Sequence, residues 1–246
     1  MDKSNRSDQL YAAPMQEVIQ FAFGDDVATV FSDMIQRSVP GYSAIVAMIG
    51  VLAQRYAQAD SMVYDLGCSL GAATIIMRHR IPHPLNCHIM AVDKSFAMSR
   101  RCQDNLNQDN AAIPVNVICA DIAHVVVNNA SVVVLNFTLQ FIAPAQRRAI
   151  LSAIYHGMRP GGILILSEKV DFEDPQEEAF QTEMHHSFKR LNGYSDLEIS
   201  QKRTALENVL IADSIDQHLN RLKAIGFQQV YKWYQCFNFV SIVALK

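Results

Sequence analysis

The chain has 246 residues, of which 50% are hydrophobic and 18% charged, and its formal net charge is −3. Such a chain is long enough for one domain with a substantial core, and its charge does not indicate a nucleic-acid-binding surface. The longest nearly apolar run, residues 42–53, is too short to cross a bilayer, and no apolar secretory signal follows the N-terminus. Five widely spaced cysteines without a C-x-x-C pair indicate neither a zinc knuckle nor a disulfide scaffold. We therefore expect a cytoplasmic protein with reduced thiols.

The N-terminal part of the chain is predicted to be an arm followed by helices. We expect residues 1–14 to form a flexible or loosely attached arm, and we interpret residues 15–246 as a single domain. From Met15 to about Gln58 the pattern is helical, with breaks at residues 24–26 and at residues 40–41. Glycine, aspartate and proline at these breaks are typical interruptions of a helix.

Strand-like apolar runs then alternate with helix-like segments. The predicted strands are Ser61–Leu66, Cys87–Val92, Val115–Cys119, Ser131–Asn136 and Gly162–Glu168. The predicted helices between them include Ala72–Arg80, Ser95–Asn107 and Ala145–Met158. This alternation predicts an α/β fold in which helices cover both faces of a parallel sheet.

The alternation stops after the fifth predicted strand. Residues 172–212 are polar and charged, and we expect them to form a helical lid inserted over the carboxyl edge of the sheet, where open α/β folds bind ligands. A helix over Ser214–Ile225 and two apolar runs, Gln229–Cys236 and Asn238–Leu245, follow. Strands joined this tightly must pair antiparallel. The prediction is a Rossmann-like, seven-stranded, mostly parallel sheet with an antiparallel C-terminal hairpin, as in class I methyltransferases.

A glycine-spaced turn follows the first predicted strand. Asp65 ends that strand, and Gly67-Cys68-Ser69-Leu70-Gly71 leads into a helix. Glycines allow a close approach of backbone to ligand, and the helix N-terminus offers unpaired N–H groups. The spacing is not that of a dinucleotide site, and an acid before the turn suits a ligand with a free amine, such as S-adenosyl-L-methionine. The alternative is a plain turn that needs glycine for a positive φ.

Two further acids end the next two strands. Asp93 can accept hydrogen bonds from both ribose hydroxyls, and the backbone of Lys94 can lie against an adenine. Asp121 can accept from the adenine amino group while Ile122 packs on the ring. A single aspartate at a strand end is more often a helix cap, but three in succession after a glycine turn predict an adenosyl ligand.

The fourth predicted strand ends in Asn136 and Phe137, at the position that faces the sulfonium carbon in this fold. Amine methyltransferases often place an Asn/Asp-Pro-Pro-aromatic turn there, and the absence of both prolines weakens an amine-methylating hypothesis. Phe137 and Phe141 can also be ordinary core residues, which we favour for Phe141.

The predicted insertion carries several cations, including Lys189, Arg190, Lys202 and Arg203. They can simply form a solvated helical face. If the insertion covers the ligand edge, however, they lie near the reacting end of the ligand. A sulfonium needs no cation there, whereas an anionic group does, and arginine pairs with carboxylates bidentately.

Histidines at positions 83, 185 and 186 do not indicate a metal site. Adjacent histidines point in different directions on a helix, and no carboxylate has ligand spacing to them. We expect no metal cofactor.

At this point the sequence resembles one family, the carboxy-S-adenosyl-L-methionine synthases. The matching strings are Phe31–Tyr42, Tyr64–Ala73, Val134–Phe141, Asn192–Ser195, Leu197–Arg203 and Gln235–Phe239. The resemblance runs from about residue 10 to the C-terminus. It implies conversion of S-adenosyl-L-methionine and prephenate to carboxy-S-adenosyl-L-methionine and phenylpyruvate. It also implies a homodimer whose product is used by a separate tRNA carboxymethyltransferase at a wobble uridine, without RNA or membrane binding by this chain.

The resemblance also assigns site residues. The residues that it implies for the adenosyl ligand are Tyr42, Gly67, Cys68, Ser69, Asp93, Lys94, Asp121, Ile122 and Asn136. Arg203 matches the arginine that pairs with the new carboxylate, from its own subunit or across a dimer. Two alternatives stay open: an ordinary S-adenosyl-L-methionine-dependent small-molecule methyltransferase and a non-catalytic adenosyl-ligand-binding protein.

Overall fold

The structure is a computed structural model that describes residues 7–246. In these residues helices and strands alternate, as predicted. The α-helices are α1 (Asp25–Ser38), α2 (Tyr42–Tyr56), α3 (Ala72–Arg80), α4 (Phe96–Gln108), α5 (Pro144–Gly157), α6 (Pro175–Leu191), α7 (Asp196–Leu206) and α8 (Ile215–Ile225). Short 3₁₀ helices occur at His83–Leu85, Ile122–His124 and Leu139–Phe141.

One mixed sheet forms the centre of the fold. Its strands are β1 (Met62–Leu66), β2 (His88–Asp93), β3 (Val115–Cys119), β4 (Ala130–Asn136), β5 (Met158–Asp171), β6 (Asp213–Ser214), β7 (Gln229–Cys236) and β8 (Phe239–Leu245). The strand order is β3-β2-β1-β4-β5-β8-β7, and β8 runs antiparallel to both neighbours. The predicted fold class is therefore confirmed. The two-residue strand β6, which pairs with the end of β5 outside this order, was not predicted.

The central strands are apolar because both faces of the sheet are covered. On one face, residues of α5 and α8 such as Leu151 and Leu222 pack against β4 and β5. On the other face, residues of α2 and α3 such as Ile49 and Met77 pack against the sheet. Helices on both faces leave the carboxyl ends of the parallel strands as an open edge, and this edge positions the site.

The helical prediction for residues 15–58 is wrong at its start, because α1 begins only at Asp25. The chain before it lies along α7: the Met15 N–H donates to Gln201 Oε1 at 2.8 Å, and the Phe21 N–H donates to the Ala205 carbonyl at 2.8 Å. Backbone donors used in this way cannot also form the i→i−4 bonds of a helix.

The predicted loose arm is attached where the structure describes it. The Asp8 side chain is only 2% exposed and accepts a hydrogen bond from the Tyr194 hydroxyl at 2.5 Å. Its backbone N–H donates to Asp33 of α1 at 2.7 Å. The expectation of a loosely attached arm therefore does not hold for residues 7–14, while residues 1–6 lie outside the described part.

The segment after β5 is helical, as predicted for the insertion. α6 and α7 are joined by a short turn, and Ser195 begins α7 with a capping box that includes Glu198, an arrangement that stabilises a helix start. Within residues 7–246, no single helix is both long and apolar enough to cross a membrane.

Candidate functional site

A cavity of about 760 Å³ lies at the carboxyl edge of the sheet. Its walls come from the ends of β1, β2, β4 and β5, from α1 and α2, and from α6 and α7 of the insertion. All predicted site residues line it: Tyr42, Gly67, Cys68, Ser69, Asp93, Lys94, Asp121, Ile122, Asn136 and Arg203. The fold thus brings together residues as far apart in sequence as Tyr42 and Arg203, which are 161 positions apart. The volume lies in the range of about 300–1,000 Å³ that is typical of small-molecule sites.

The turn after β1 is held tightly against the neighbouring loop. Gly67 has a φ of +87°, and a Cβ at this position would lie 2.2 Å from Thr138 Oγ1. No other residue type fits there without displacing Thr138. Ser69 also has a left-handed backbone, with a φ of +49°, which is uncommon outside glycine and often occurs at functional sites.

Asp93, at the end of β2, is partly committed to the protein itself. One carboxylate oxygen accepts the Ser69 N–H and the other accepts the Ser95 N–H, both at 2.9 Å. Burial raises the pKa of Asp93, although these two hydrogen bonds oppose the shift. Asp93 lines the cavity, and a carboxylate has further lone pairs that can accept from hydroxyl groups of a ligand.

Asp121 can serve both as a helix cap and as a ligand contact, the two roles considered for an aspartate at a strand end. Its Oδ1 accepts the Ala123 N–H at 2.9 Å and so caps the short helix that begins at Ile122. Ile122 is buried and contributes an apolar surface to the same cavity. A capping role for one oxygen is compatible with ligand contact through the other.

Asp65 lies beneath the turn rather than freely in the cavity. It is 1% exposed, and the Thr74 hydroxyl donates to its Oδ2 at 2.6 Å. Burial raises its pKa to about 6, against the opposing effect of the Thr74 hydrogen bonds. This carboxyl group therefore joins the β1 end to α3 and adds negative charge to the cavity floor.

The end of β4 presents an unpartnered polar atom to the cavity. Asn136 Oδ1 is buried and accepts no hydrogen bond from the described residues. The next residue, Phe137, has a φ of +60°. A buried carbonyl oxygen without a partner is costly, so this position fits a ligand that supplies a donor.

Glu168 was not among the site residues predicted from the sequence. It is 1% exposed, and its two carboxylate oxygens accept the N–H groups of Leu139 and Gln140 at 2.9 Å each. It thereby holds the loop that carries Asn136. Burial raises its pKa to about 8, although these hydrogen bonds and the charge of Arg147 oppose the shift. An acid directly after the apolar run of β5 was the signal that could have identified it.

Arg203, on the last turn of α7, is exposed and lines the cavity. It forms no salt bridge with a carboxylate of residues 7–246. Arg190, in contrast, is exposed away from the cavity and pairs with Glu183 and Asp196 at 2.8 Å each. The structure thus separates the cations of the insertion into those that face the site and those that do not.

Aromatic residues form an apolar side of the cavity. Phe23 contacts Phe21 and Phe141 edge to face, with ring centroids 5.0 and 5.1 Å apart. Phe141 is half-buried in this wall and is not the ordinary core residue that we favoured. Tyr42 lies near Phe137, with ring centroids 6.4 Å apart.

His185, one of the two adjacent histidines of α6, has a protein partner. His185 Nε2 lies 2.9 Å from the Ser38 carbonyl, to which it can donate, and burial lowers the pKa of this imidazole, which favours its neutral form. Among residues 7–246, no group of histidine, cysteine, aspartate and glutamate side chains is arranged to hold a metal ion.

Comparison with known proteins identifies the family. A family model described as a methyltransferase domain matches residues 63–162. The carboxy-S-adenosyl-L-methionine synthase of Citrifermentans bemidjiense is 58% identical over 244 residues, which cover 99% of this chain and 100% of that protein. The chain belongs to the carboxy-S-adenosyl-L-methionine synthase family. The synthase of Salmonella paratyphi C, a more distant member, is 54% identical over 97% of this chain and 96% of its own length.

Solved structures of other proteins share the fold of this synthase-family chain. A protein from Methanococcus maripaludis, described as an S-adenosyl-L-methionine-dependent methyltransferase, superposes with a TM-score of 0.59 and 17% identity. The superposition covers 95% of the present chain and 97% of the Methanococcus chain. Human N-acetylserotonin methyltransferase, solved with S-adenosyl-L-methionine, superposes with a TM-score of 0.60 and 17% identity. This superposition covers 98% of the present chain and 63% of the human protein. The synthase-family chain therefore has the class I methyltransferase fold.

Proposed function

We propose that this protein moves the ring carboxyl group of prephenate onto the methyl carbon of S-adenosyl-L-methionine, giving carboxy-S-adenosyl-L-methionine and phenylpyruvate. The observation that carries the proposal is the position of Arg203. This cation, which forms no salt bridge with a carboxylate of the described residues 7–246, lines the same cavity as Asp93 and Asp121. An ordinary methyl donor is already cationic at sulfur and gains nothing from an adjacent guanidinium. A carboxylate at the same position gains a charge-assisted pair.

The adenosyl substrate is proposed to lie along the strand ends. Asp93 would accept from the ribose hydroxyls, and Lys94, Asp121 and Ile122 would surround the adenine. Gly67, Cys68 and Ser69 would lie beside the amino-acid tail. This arrangement is supported by the acids and the glycine turn, which line the same cavity.

Asn136 and Tyr42 would complete the adenosyl half of the site. The ligand would supply the donor that buried Asn136 Oδ1 lacks. Tyr42 would cover the ligand from α2, where burial raises the pKa of its phenol and keeps the hydroxyl neutral.

The proposed chemistry balances without an external oxidant or reductant. Prephenate loses its ring carboxyl group as carbon dioxide and its ring hydroxyl as hydroxide, which leaves phenylpyruvate. The hydroxide takes a proton from the S-methyl group and becomes water, and the resulting ylide carbon attacks the carbon dioxide. The protein would contribute proximity, exclusion of water and charge placement.

Arg203 would bind the carboxylate as it forms on the methyl carbon. Its role is catalytic in the sense that it contacts the reacting group. The insertion that carries Arg203 would act as a lid over the strand ends, and Arg203 would serve its own subunit or the partner of a homodimer.

We further propose that the product leaves for a separate tRNA carboxymethyltransferase, which uses it at a wobble uridine. The net charge of −3 supports this division, because a protein that carboxylates a small molecule needs no surface for RNA phosphates.

A labelling experiment tests the reaction. The protein is incubated with S-adenosyl-L-methionine and prephenate labelled with ¹³C in the ring carboxyl group, and the nucleosides are weighed by mass spectrometry. We expect S-adenosyl-L-methionine to gain the mass of one labelled carbon dioxide, together with one phenylpyruvate. Without prephenate no gain should occur. Formation of S-adenosylhomocysteine without any carboxylated nucleoside would contradict the proposal and favour an ordinary methyltransferase.

A further inference from the structure

The insertion side of the cavity carries more positive charge than one carboxylate needs. Four cations line it: Lys169, Lys189, Lys202 and Arg203. The two carboxylates in the same part of the wall are those of Glu178 and Glu207. Glu178 is already engaged, because it accepts the Phe172 N–H at 3.1 Å and the Thr182 hydroxyl at 3.0 Å.

Two of the lysines lack the partners that usually neutralise a buried cation. Lys202 pairs with Asp8 at 3.6 Å and donates to Ser38 at 3.2 Å. Lys189, only 7% exposed, and half-buried Lys169 form no salt bridge with any carboxylate of residues 7–246. Buried lysines are nearly always paired, so their position indicates that a ligand supplies the negative charge.

The electrostatics agree with one shared cluster. Burial and the charges of Lys202 and Lys169 lower the pKa of Lys189 to about 7. Burial also lowers the pKa of Lys169. The charge of Arg203 adds to this shift, whereas the charges of Glu178 and Asp171 oppose it without reversing it. These lysines are therefore close enough to repel one another, and an anion between them would relieve that repulsion.

Other cations of this region have protein partners. Arg37 donates to the Asn192 carbonyl at 2.7 Å and to Asp33 at 3.0 Å. Arg190 pairs outside the cavity. Neither guanidinium is available to a ligand in the cavity, which leaves Lys169 and Lys189 as the candidates.

We propose that Lys189 and Lys169 form the subsite for the second carboxylate of a dicarboxylate co-substrate. This is the carboxylate that stays on the product keto acid, while Arg203 faces the carboxyl group that moves. The proposal rests on the proposed function, which requires a dianionic acid beside the sulfonium. It makes Lys189 and Lys169 specificity-determining residues, since they select an acid with a second negative charge.

The experiment compares steady-state kinetics of Lys189→Met, Lys169→Met and Lys189→Arg in the full chain. In both methionine variants we expect the KM for prephenate to rise about tenfold or more, the loss that corresponds to one charge-assisted contact. The KM for S-adenosyl-L-methionine should stay unchanged, and Lys189→Arg should recover much of the loss. The matched control is Arg190→Met, which removes a cation from the same helix outside the cavity.

Two results would overturn the subsite. One is an unchanged KM for prephenate in both methionine variants. The other is a larger loss for S-adenosyl-L-methionine, which would place the lysines at the carboxylate of its amino-acid tail.

Binding of phenylpyruvate separates failure of the subsite from failure of the proposed function. This product retains the carboxylate in question, and its affinity for the protein with S-adenosyl-L-methionine bound can be measured by calorimetry without turnover. If the unmodified protein forms no carboxylated nucleoside but Lys189→Met still abolishes phenylpyruvate binding, the subsite stands and the reaction is wrong. Equal phenylpyruvate binding by Lys189→Met and the unmodified protein would overturn the subsite whatever the reaction.

Discussion

The Ser69 N–H donates a 2.9 Å hydrogen bond to the carboxylate of Asp93. This contact joins the turn after β1 to the end of β2 and holds Ser69 in its left-handed conformation. The proposed ribose acceptor therefore also shapes the loop that would lie beside the amino-acid tail. Loss of this carboxylate should affect both halves of the adenosyl site.

Asp93→Asn should weaken S-adenosyl-L-methionine binding by roughly ten- to hundredfold, because a hydrogen bond to a charged group contributes about 1.5–3 kcal/mol. Asparagine also has only one acceptor oxygen, so either the Ser69 or the Ser95 N–H loses its partner. Titration calorimetry measures the effect. Asp104→Asn, at an exposed acid of α4, is the matched control and should bind normally. Equal affinities of the two variants would remove Asp93 from the site.

Gly67→Ala should destabilise the fold. The φ of +87° disfavours any L side chain, and the new Cβ would lie 2.2 Å from Thr138 Oγ1. The backbone strain alone costs on the order of 1–3 kcal/mol, which urea unfolding can measure. Gly24→Ala is the control, since no atom lies within 4 Å of its Cβ position. Similar stabilities of the two variants would show that the turn relaxes freely.

Arg203→Ala should discriminate between the two nucleosides. It removes a cation that S-adenosyl-L-methionine does not need, so carboxy-S-adenosyl-L-methionine should lose about 1.5–3 kcal/mol of binding free energy and S-adenosyl-L-methionine much less. Calorimetry with both ligands measures the difference. Arg148→Ala, at an exposed position of α5, should alter neither affinity. Equal losses for both ligands would make Arg203 a structural residue.

Most of the sheet could be predicted because its signals are local. β3 and β7 have their predicted bounds, and β5 and β8 were recognised from continuous apolar runs. Such runs are typical of strands covered on both faces. The acids Asp93 and Asp121 could be found for a similar reason. Asp93 ends β2 and Asp121 lies two residues after β3, and the fold brings strand ends together.

The parts that escaped prediction depend on distant contacts. Residues 15–23 have a helical pattern, but their backbone bonds to α7, almost 190 positions away. Asp8 gave no local sign of burial because its partner Tyr194 lies in the insertion. Lys169 was missed because only the folded chain shows that this cation near the end of β5 lines the cavity.

Glu168 should make stability depend on pH. Its pKa is raised from 4.5 to about 8 in the folded protein, so between these values the folded state holds a proton that the unfolded state has released. The free energy of unfolding should therefore fall as pH rises through this window. Between about pH 5 and about pH 8, which bound this window, the melting temperature of Glu168→Gln should fall less than that of the unmodified protein. Glu177→Gln, at an exposed acid of α6, should keep the full dependence, and an identical dependence in Glu168→Gln would contradict the assignment.

Lys189→Met should lose prephenate affinity and yet gain stability. A lysine pKa lowered from 10.5 to about 7 means that the folded state bears the full cost of the buried charge below pH 7. Between these values the folded state releases its proton before the unfolded state does, so the cost shrinks as pH rises. Methionine has no charge to bury, and the gain should be roughly 1–4 kcal/mol below pH 7, the range seen when buried ionic groups are replaced by apolar ones. Thermal unfolding at several pH values measures it, with Arg190→Met as the neutral control. A lysine that only supports the fold would give the opposite result, a loss of stability at every pH.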